Sequence, residues 1–435
     1  MLLVSLYGIA TDYFYFADAS FFLVSLLADT ALNDVWLQFP KRAAAFLLTQ
    51  GPTYLAVQMG ASASFARYAY ASCFLLLPWA GLATICWVSD RPAMKFVAVL
   101  ALGVVTFATF GFPTETSVTM TLLVGLTALL SAAPPDRQNQ AIRRSLIVVL
   151  TPLLIFSHDA ALLAIPALVY LVFKPEKKWQ LDGQTRRWFV AALSLSVAGW
   201  MALDLMTSPS NPLIAKALQN NARSIMTFKG TVHRPVAALA MLAILASVLF
   251  RVAGRRTRAL RGVMALTVVL LLVALVRLWR ADEVADRYLA RSVLVWLMPF
   301  VPLLPDFFSR VGRREMVFVS LILMALTLAH VRSIFYWRAY KADFQAQLLG
   351  KQVDRAGLNE RARQRLARYR WDWALPYAAA LMTQKVERQT LLIDEKTWYS
   401  PLSCASFNQP HHFDMLYSQA EIEALQQSVL QRMKC

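Results

Sequence analysis

The sequence predicts an all-α polytopic membrane protein, with about 10–11 transmembrane helices and a mostly helical C-terminal domain outside the membrane. Three observations predict it. The chain is 58% hydrophobic and only 16% charged over 435 residues, with mean hydropathy +0.47; ordinary globular domains carry nearer a quarter charged residues. Its apolar residues gather in runs of the length a bilayer crossing needs, roughly 20 residues each. Lysines and arginines sit mostly in the short loops between those runs, alternately dense and sparse. The net charge of +18 therefore reads as topology and headgroup contact rather than nucleic-acid binding, since no compact basic domain with stacking aromatics stands apart.

Taken in order, residues 1–10 are apolar but too few to cross alone, and Asp12, Tyr13-Phe14-Tyr15-Phe16 and Asp18 follow. Two unpaired carboxylates in lipid are costly, so a short or truncated first span is expected, with 11–67 as an outer loop and surface helices. No basic segment precedes the first run, so no cleavable signal peptide is expected. Spans are expected at 68–88, 93–112, 117–133, 188–206, 235–250, 262–280, 288–304 and 315–334. The run 145–173 is interrupted by Ser157, His158 and Asp159. It is expected to cross twice, or dip in and return, with that tripeptide at the outer turn. The basic loops 89–95, 134–144, 174–187, 251–261 and 309–314 become cytoplasmic by the positive-inside rule.

The transmembrane domain thus covers 1–334, and 335–435 forms a soluble domain on the outer side, periplasmic in a bacterial inner (cytoplasmic) membrane. Within it, Ser418-Gln-Ala-Glu421 reads as a capping box opening a last helix, and 389–394 as a short strand. An oxidising compartment would let Cys404 and Cys435 pair. Cys73 and Cys86, in an apolar stretch, read as packing residues.

Ionisable groups at membrane depth are functional candidates by default. The topology gathers Asp12, Asp18, Asp29, Asp34, Glu115, His158 and Asp159 on the outer side. Asp12 and Asp18 read either as solvated carboxylates beside an aromatic belt, or one of them as the general base that deprotonates an acceptor hydroxyl. Glu115, in Phe-Gly-Phe-Pro-Thr-Glu-Thr, reads as a first-turn acid favoured by the helix dipole, or as a second carboxylate that binds a sugar hydroxyl or helps hold a divalent cation. His158 and Asp159 read as structural residues or as residues for acceptor binding or proton transfer, but not as a dyad, since sequence neighbours do not face each other on a helix, and no triad spacing includes Ser157. Arg280, Arg287 and Arg291 read as a donor-phosphate site, or as snorkelling side chains held by Asp282, Glu283 and Asp286.

This layout resembles the polytopic glycosyltransferases of the GT-C fold, over roughly residues 1–334. In that family an acid sits in the first outer loop, a second often follows in the next, and the donor is a lipid-phosphate-linked sugar. Asp12 or Asp18 would match the first acid and Glu115 the second. The adjacent acidic pair common at the first position is missing here, and the C-terminal segment matches no domain of that family. The resemblance implies a hexosyl- or pentosyltransferase that moves a sugar from a polyprenyl-phosphate donor to an envelope or exported acceptor, with membrane lipid as its partner. The alternatives are a transporter or flippase for a lipid-linked or anionic solute, and a non-enzymatic membrane assembly protein.

Overall fold

The computed structural model describes residues 2–15, 18–27, 39–89, 91–109, 115–131, 137–173, 181–207, 298–307 and 313–349, together with Trp36, Val295 and Leu381. Among these residues every regular element is helical. The N-terminal part consists of α1 (Leu2–Ala10), a 3-10 turn (Tyr13–Tyr15), α2 (Asp18–Leu27), α3 (Ala43–Thr49) and α4 (Gly51–Gln58). Two successive helices follow, α5 (Ala63–Leu75) and α6 (Leu77–Val88), then α7 (Pro92–Thr109) and α8 (Glu115–Ser131). The bundle continues through α9 (Arg137–Ile155), a 3-10 segment (Asp159–Ala164), α10 (Ile165–Phe173) and α11 (Gly183–Thr207). A 3-10 turn (Met298–Leu303), α12 (Leu304–Phe307) and the long α13 (Arg313–Leu349) complete the described elements.

The core is built around α8. Every residue of that helix except Gly125 is buried, and it packs against α6, α7, α9, α3, α10 and the 298–303 turn. After Glu115 the helix has no charged face to turn to solvent, so it can be enclosed on every side. Its threonines are accommodated because their hydroxyls donate back to the helix's own carbonyls. Thr119, Thr121 and Thr127 reach the carbonyls of Glu115, Ser117 and Leu123 at 2.7–2.8 Å. These three buried hydroxyls are therefore each satisfied within the helix itself.

Helix α6 approaches α8 closely at Gly81. A Cβ there would lie 2.6 Å from the Thr121 methyl, and Thr121 cannot swing away freely because its hydroxyl holds the Ser117 carbonyl at 2.8 Å. Gly81→Ala is therefore expected to destabilise the protein by about 1–3 kcal/mol, the usual range for overpacking. Adding Thr121→Ser, which removes the methyl, should recover most of that loss. Denaturation midpoints of the single and double variants check this; an unchanged midpoint in Gly81→Ala would mean the two helices are not in such close contact.

The expected row of membrane spans is corrected by the helices themselves. Among the described residues no single helix is long and apolar enough to cross a membrane. One pair, Ala63–Leu75 with Leu77–Trp87, has the length and composition of a span but is bent by 48° at the break. The apolar stretch 117–133 becomes α8, 17 residues long and enclosed by other helices. The run 145–173 becomes the end of α9, a 3-10 segment and the nine-residue α10. What is described of 288–304 is Val295 and a 3-10 turn leading into the four-residue α12. The run 188–206 belongs to α11, which carries Arg186 and Arg187 just before the run and Asp204 within it, and 315–334 belongs to α13, with charges in both of its end regions. The runs 235–250 and 262–280 lie outside the described residues. Large apolar side chains still face outward at Leu3, Met59, Trp87, Leu195 and Met206, so the outer surface is not uniformly polar.

With that finding the polytopic fold class, the GT-C resemblance and the inner-membrane placement are withdrawn. So are the lipid and lipid-linked-sugar partners, and the membrane glycosyltransferase, flippase and membrane assembly functions that depended on the same layout. Nearly all of the segment expected as a separate C-terminal domain lies outside the described residues, apart from the end of α13 and Leu381.

Candidate functional site

The chain turns sharply as α1 ends. Thr11 caps the helix, its hydroxyl donating to the Tyr7 carbonyl at 2.9 Å, and the Asp12 amide donates to the Ile9 carbonyl at 3.2 Å. The Tyr15 amide then donates to the Asp12 carbonyl at 3.0 Å. Closing this turn puts Asp12 at φ 55°, in the left-handed region. Among residues with a Cβ, Asp and Asn tolerate that conformation best.

The turn is locked from outside by α13. The Trp337 indole N–H donates to the Thr11 carbonyl at 3.2 Å, and its ring stands edge-on to Tyr13, centroids 5.9 Å apart. Ile334, Trp337 and Tyr340, at helical spacing, form the buried face of α13 here. The next position on that side is Lys341, whose ammonium donates to Asp12 Oδ2. Arg67 of α5 approaches from the other side, Nε 3.5 Å from Asp12 Oδ1. That is an ion-pair distance, too long for a good hydrogen bond.

Asp12 is only 7% exposed, while the Arg67 and Lys341 side chains are 23% and 22% exposed. The carboxylate is thus screened from solvent and the two cations are partly exposed, although the Arg67 Nε facing Asp12 is itself buried. Tyr15 lies within this group, with Lys341 over its ring at 5.9 Å. Burial first, and then the Asp12 charge, push the Tyr15 phenol up to about 12, so it remains a neutral donor at any ordinary pH. Burial works against the Arg67 charge, but Tyr15 and Asp12 together raise its pKa above the ordinary arginine value. The guanidinium also lies 4.5 Å over the Tyr68 ring.

A second polar group forms where α8 begins. Glu115 is its first residue, 8% exposed, and accepts from Arg42 Nη1 at 3.1 Å. The Pro40–Arg42 turn is held in place by two further contacts. Lys41 lies 4.6 Å over the Trp200 ring of α11, and the Ala44 amide donates to the Phe156 carbonyl at 3.0 Å. Next along, Ser157 is fully buried and its hydroxyl lies 2.8 Å from that of Thr119. His158 caps the 3-10 segment, its Nδ1 accepting from the Ala160 amide at 3.0 Å. A neutral His158 therefore carries its proton on Nε2. Asp159 Oδ1 is buried without a hydrogen-bond partner.

The residues expected from sequence divide accordingly. Asp12 lies in a cationic cluster. Glu115 and the Ser157-His158-Asp159 segment come to one end of the bundle, joined through Arg42, Thr119 and the 40–44 turn. Asp12 and Glu115 are anchored by different cations. Asp18 begins α2. The segments holding Asp29, Asp34, Arg280, Arg287, Arg291, Cys404 and Cys435 lie outside the described residues. Cys73 and Cys86 are free thiols, and burial raises the Cys73 pKa. Among the described residues no three His, Cys, Asp or Glu side chains are grouped so as to hold a metal ion.

Sequence reasoning missed Arg67, Lys341 and Tyr15 as partners of Asp12. Lys341 is 329 positions away, and no local spacing links them. The available signal was the imbalance of 26 acids against 44 Lys and Arg: a shielded carboxylate in such a chain attracts a cation from wherever the fold supplies one. No known family model, curated protein or solved structure matches this chain.

Proposed function

We propose that the Asp12 cluster is an anion-binding site, and that the chain uses it for group transfer, with glycosyl transfer as the reaction class to test first. The observation that carries this reading is one shielded carboxylate facing two partly exposed cations, Arg67 and Lys341. The pair exceeds the carboxylate by one positive charge. A phosphate on an activated donor competes with Asp12 for both cations, and charge-assisted hydrogen bonds to phosphate are strong. The Asp12 carboxylate released in that way is a general base for an acceptor hydroxyl. Tyr15, neutral and close by, supplies a hydrogen-bond donor.

Calorimetric titration with inorganic pyrophosphate tests the binding step. Arg67→Gln and Lys341→Met are each expected to weaken binding about tenfold or more, since a hydrogen bond to a charged group contributes about 1.5–3 kcal/mol. Asp12→Asn should bind pyrophosphate as well as wild type or better, because it removes the competing charge. It should also abolish release of phosphate from a panel of sugar phosphates and of nucleoside diphosphate from nucleotide sugars. If wild type releases neither, the transfer part of the reading falls.

A structural reading is favoured by the Trp337 contact to the Thr11 carbonyl. On that reading the cluster only fastens α13 to α1. It predicts that Arg67→Gln and Lys341→Met lower the melting temperature and that wild type does not bind pyrophosphate.

A further inference from the structure

A third cation belongs to the same stretch of α13. Arg338 precedes Lys341 by three residues, which puts the two on neighbouring positions of one helix face. Its guanidinium donates to the Tyr7 hydroxyl and lies 5.8 Å over the Tyr7 ring. Tyr7 is in α1, one helical turn before the Thr11–Asp12 corner. Arg338 is exposed and pairs with no carboxylate among the described residues. The end of α1 therefore meets three cations, Arg67 and Lys341 at Asp12 and Arg338 one turn earlier at Tyr7, an excess of two positive charges over Asp12.

We infer that the site takes a dianionic phosphate group, the terminal phosphate of a monoester, and discriminates against phosphodiesters. The inference rests on the anion-binding reading above and adds the class of ligand. A monoester presents three terminal oxygens and two negative charges at neutral pH, its second pKa being near 6. Those match three cationic donors and an excess of two charges. A diester offers two terminal oxygens and one charge, and leaves one cation without an anionic partner. Arg338 is the discriminating residue, because Arg67 and Lys341 are already engaged by Asp12 while Arg338, among the described residues, is held by a tyrosine hydroxyl and ring. The planar guanidinium suits two phosphate oxygens at once.

The test compares methyl phosphate with dimethyl phosphate at pH 8, where the first is a dianion and the second a monoanion, at matched low ionic strength. Wild type is expected to bind methyl phosphate at least tenfold more tightly. Arg338→Gln should bring the ratio close to one, and Arg338→Lys should retain part of it. Arg338 is exposed, so neither variant should disturb folding, and an unchanged thermal midpoint verifies that. A wild-type ratio near one overturns the inference, as does an Arg338→Gln ratio equal to that of wild type. If pyrophosphate is still bound in a manner dependent on Arg67 and Lys341, only the charge-selectivity inference has failed. If pyrophosphate is not bound either, the anion-binding reading has failed with it.

Discussion

Asp12→Ala is expected to lower stability by about 3 kcal/mol, and to do so more than Asp12→Gly or Asp12→Asn. Removing one partner from a buried ion pair costs about 3–5 kcal/mol, because the remaining charge is left without compensation. The lower end applies here, since Arg67 and Lys341 keep part of their surface in water. Alanine also retains the strain of the left-handed backbone at this position, about 1 kcal/mol for a residue with a Cβ. Glycine loses the same ion pairs but not that strain, so it should be about 1 kcal/mol more stable than alanine. Asparagine tolerates the backbone and keeps an oxygen for Lys341, and should be the mildest of the three. Urea midpoints for the three variants give the order. Equal losses for all three would show that neither the left-handed turn nor the retained acceptor matters. Alanine at wild-type stability would remove Asp12 from its role as the anchor of α13.

The helical class of this chain was legible in its sequence. So was the interruption at Ser157-His158-Asp159, where α9 does end. Asp12 and Glu115 stood out as unusual carboxylates, and both are shielded from solvent in the fold. What misled was the apolar run as a measure of membrane crossing. After Glu115 the residues of α8 are apolar or small hydroxyl side chains with no charged face, which a bilayer tolerates and the centre of a helical bundle tolerates equally. Composition alone cannot separate the two when the run is about 17 residues long. The break near Leu76 was hidden for a similar reason: Leu-Leu-Leu-Pro continues an apolar stretch without interruption, although Pro78 sits in the first turn of a new helix. The partners of Asp12 were hidden because a salt bridge across the fold leaves no periodic trace. Arg67 and Lys341 became visible only once α1, α5 and α13 had been brought together.

His330 gives the second large expected effect, a loss of stability in mild acid. It is 2% exposed on α13, edge-on to the Tyr13 ring at 5.8 Å, with Nδ1 lacking a hydrogen-bond partner. Burial lowers its pKa to about 4, while an unfolded histidine titrates near 6.5. The unfolded chain therefore takes up a proton first as the pH drops. Stability is intact above pH 6.5 and declines as the pH falls from there toward 4. By linkage, about 2.5 kcal/mol should be gone at pH 4.5. Carboxylates titrate in the same region, so the informative quantity is the difference between wild type and His330→Leu. Leucine leaves no polar nitrogen without a partner, and at pH 7.5 the variant should be at least as stable as wild type. At pH 4.5 its advantage should grow by about 2.5 kcal/mol, since the shared carboxylates cancel. Urea unfolding of both proteins at the two pH values measures this. A difference that does not change with pH would mean His330 is protonated inside the fold. It would then have to face an acceptor beyond the Tyr13 ring, and the junction of α1 with α13 would be more polar than its contacts indicate.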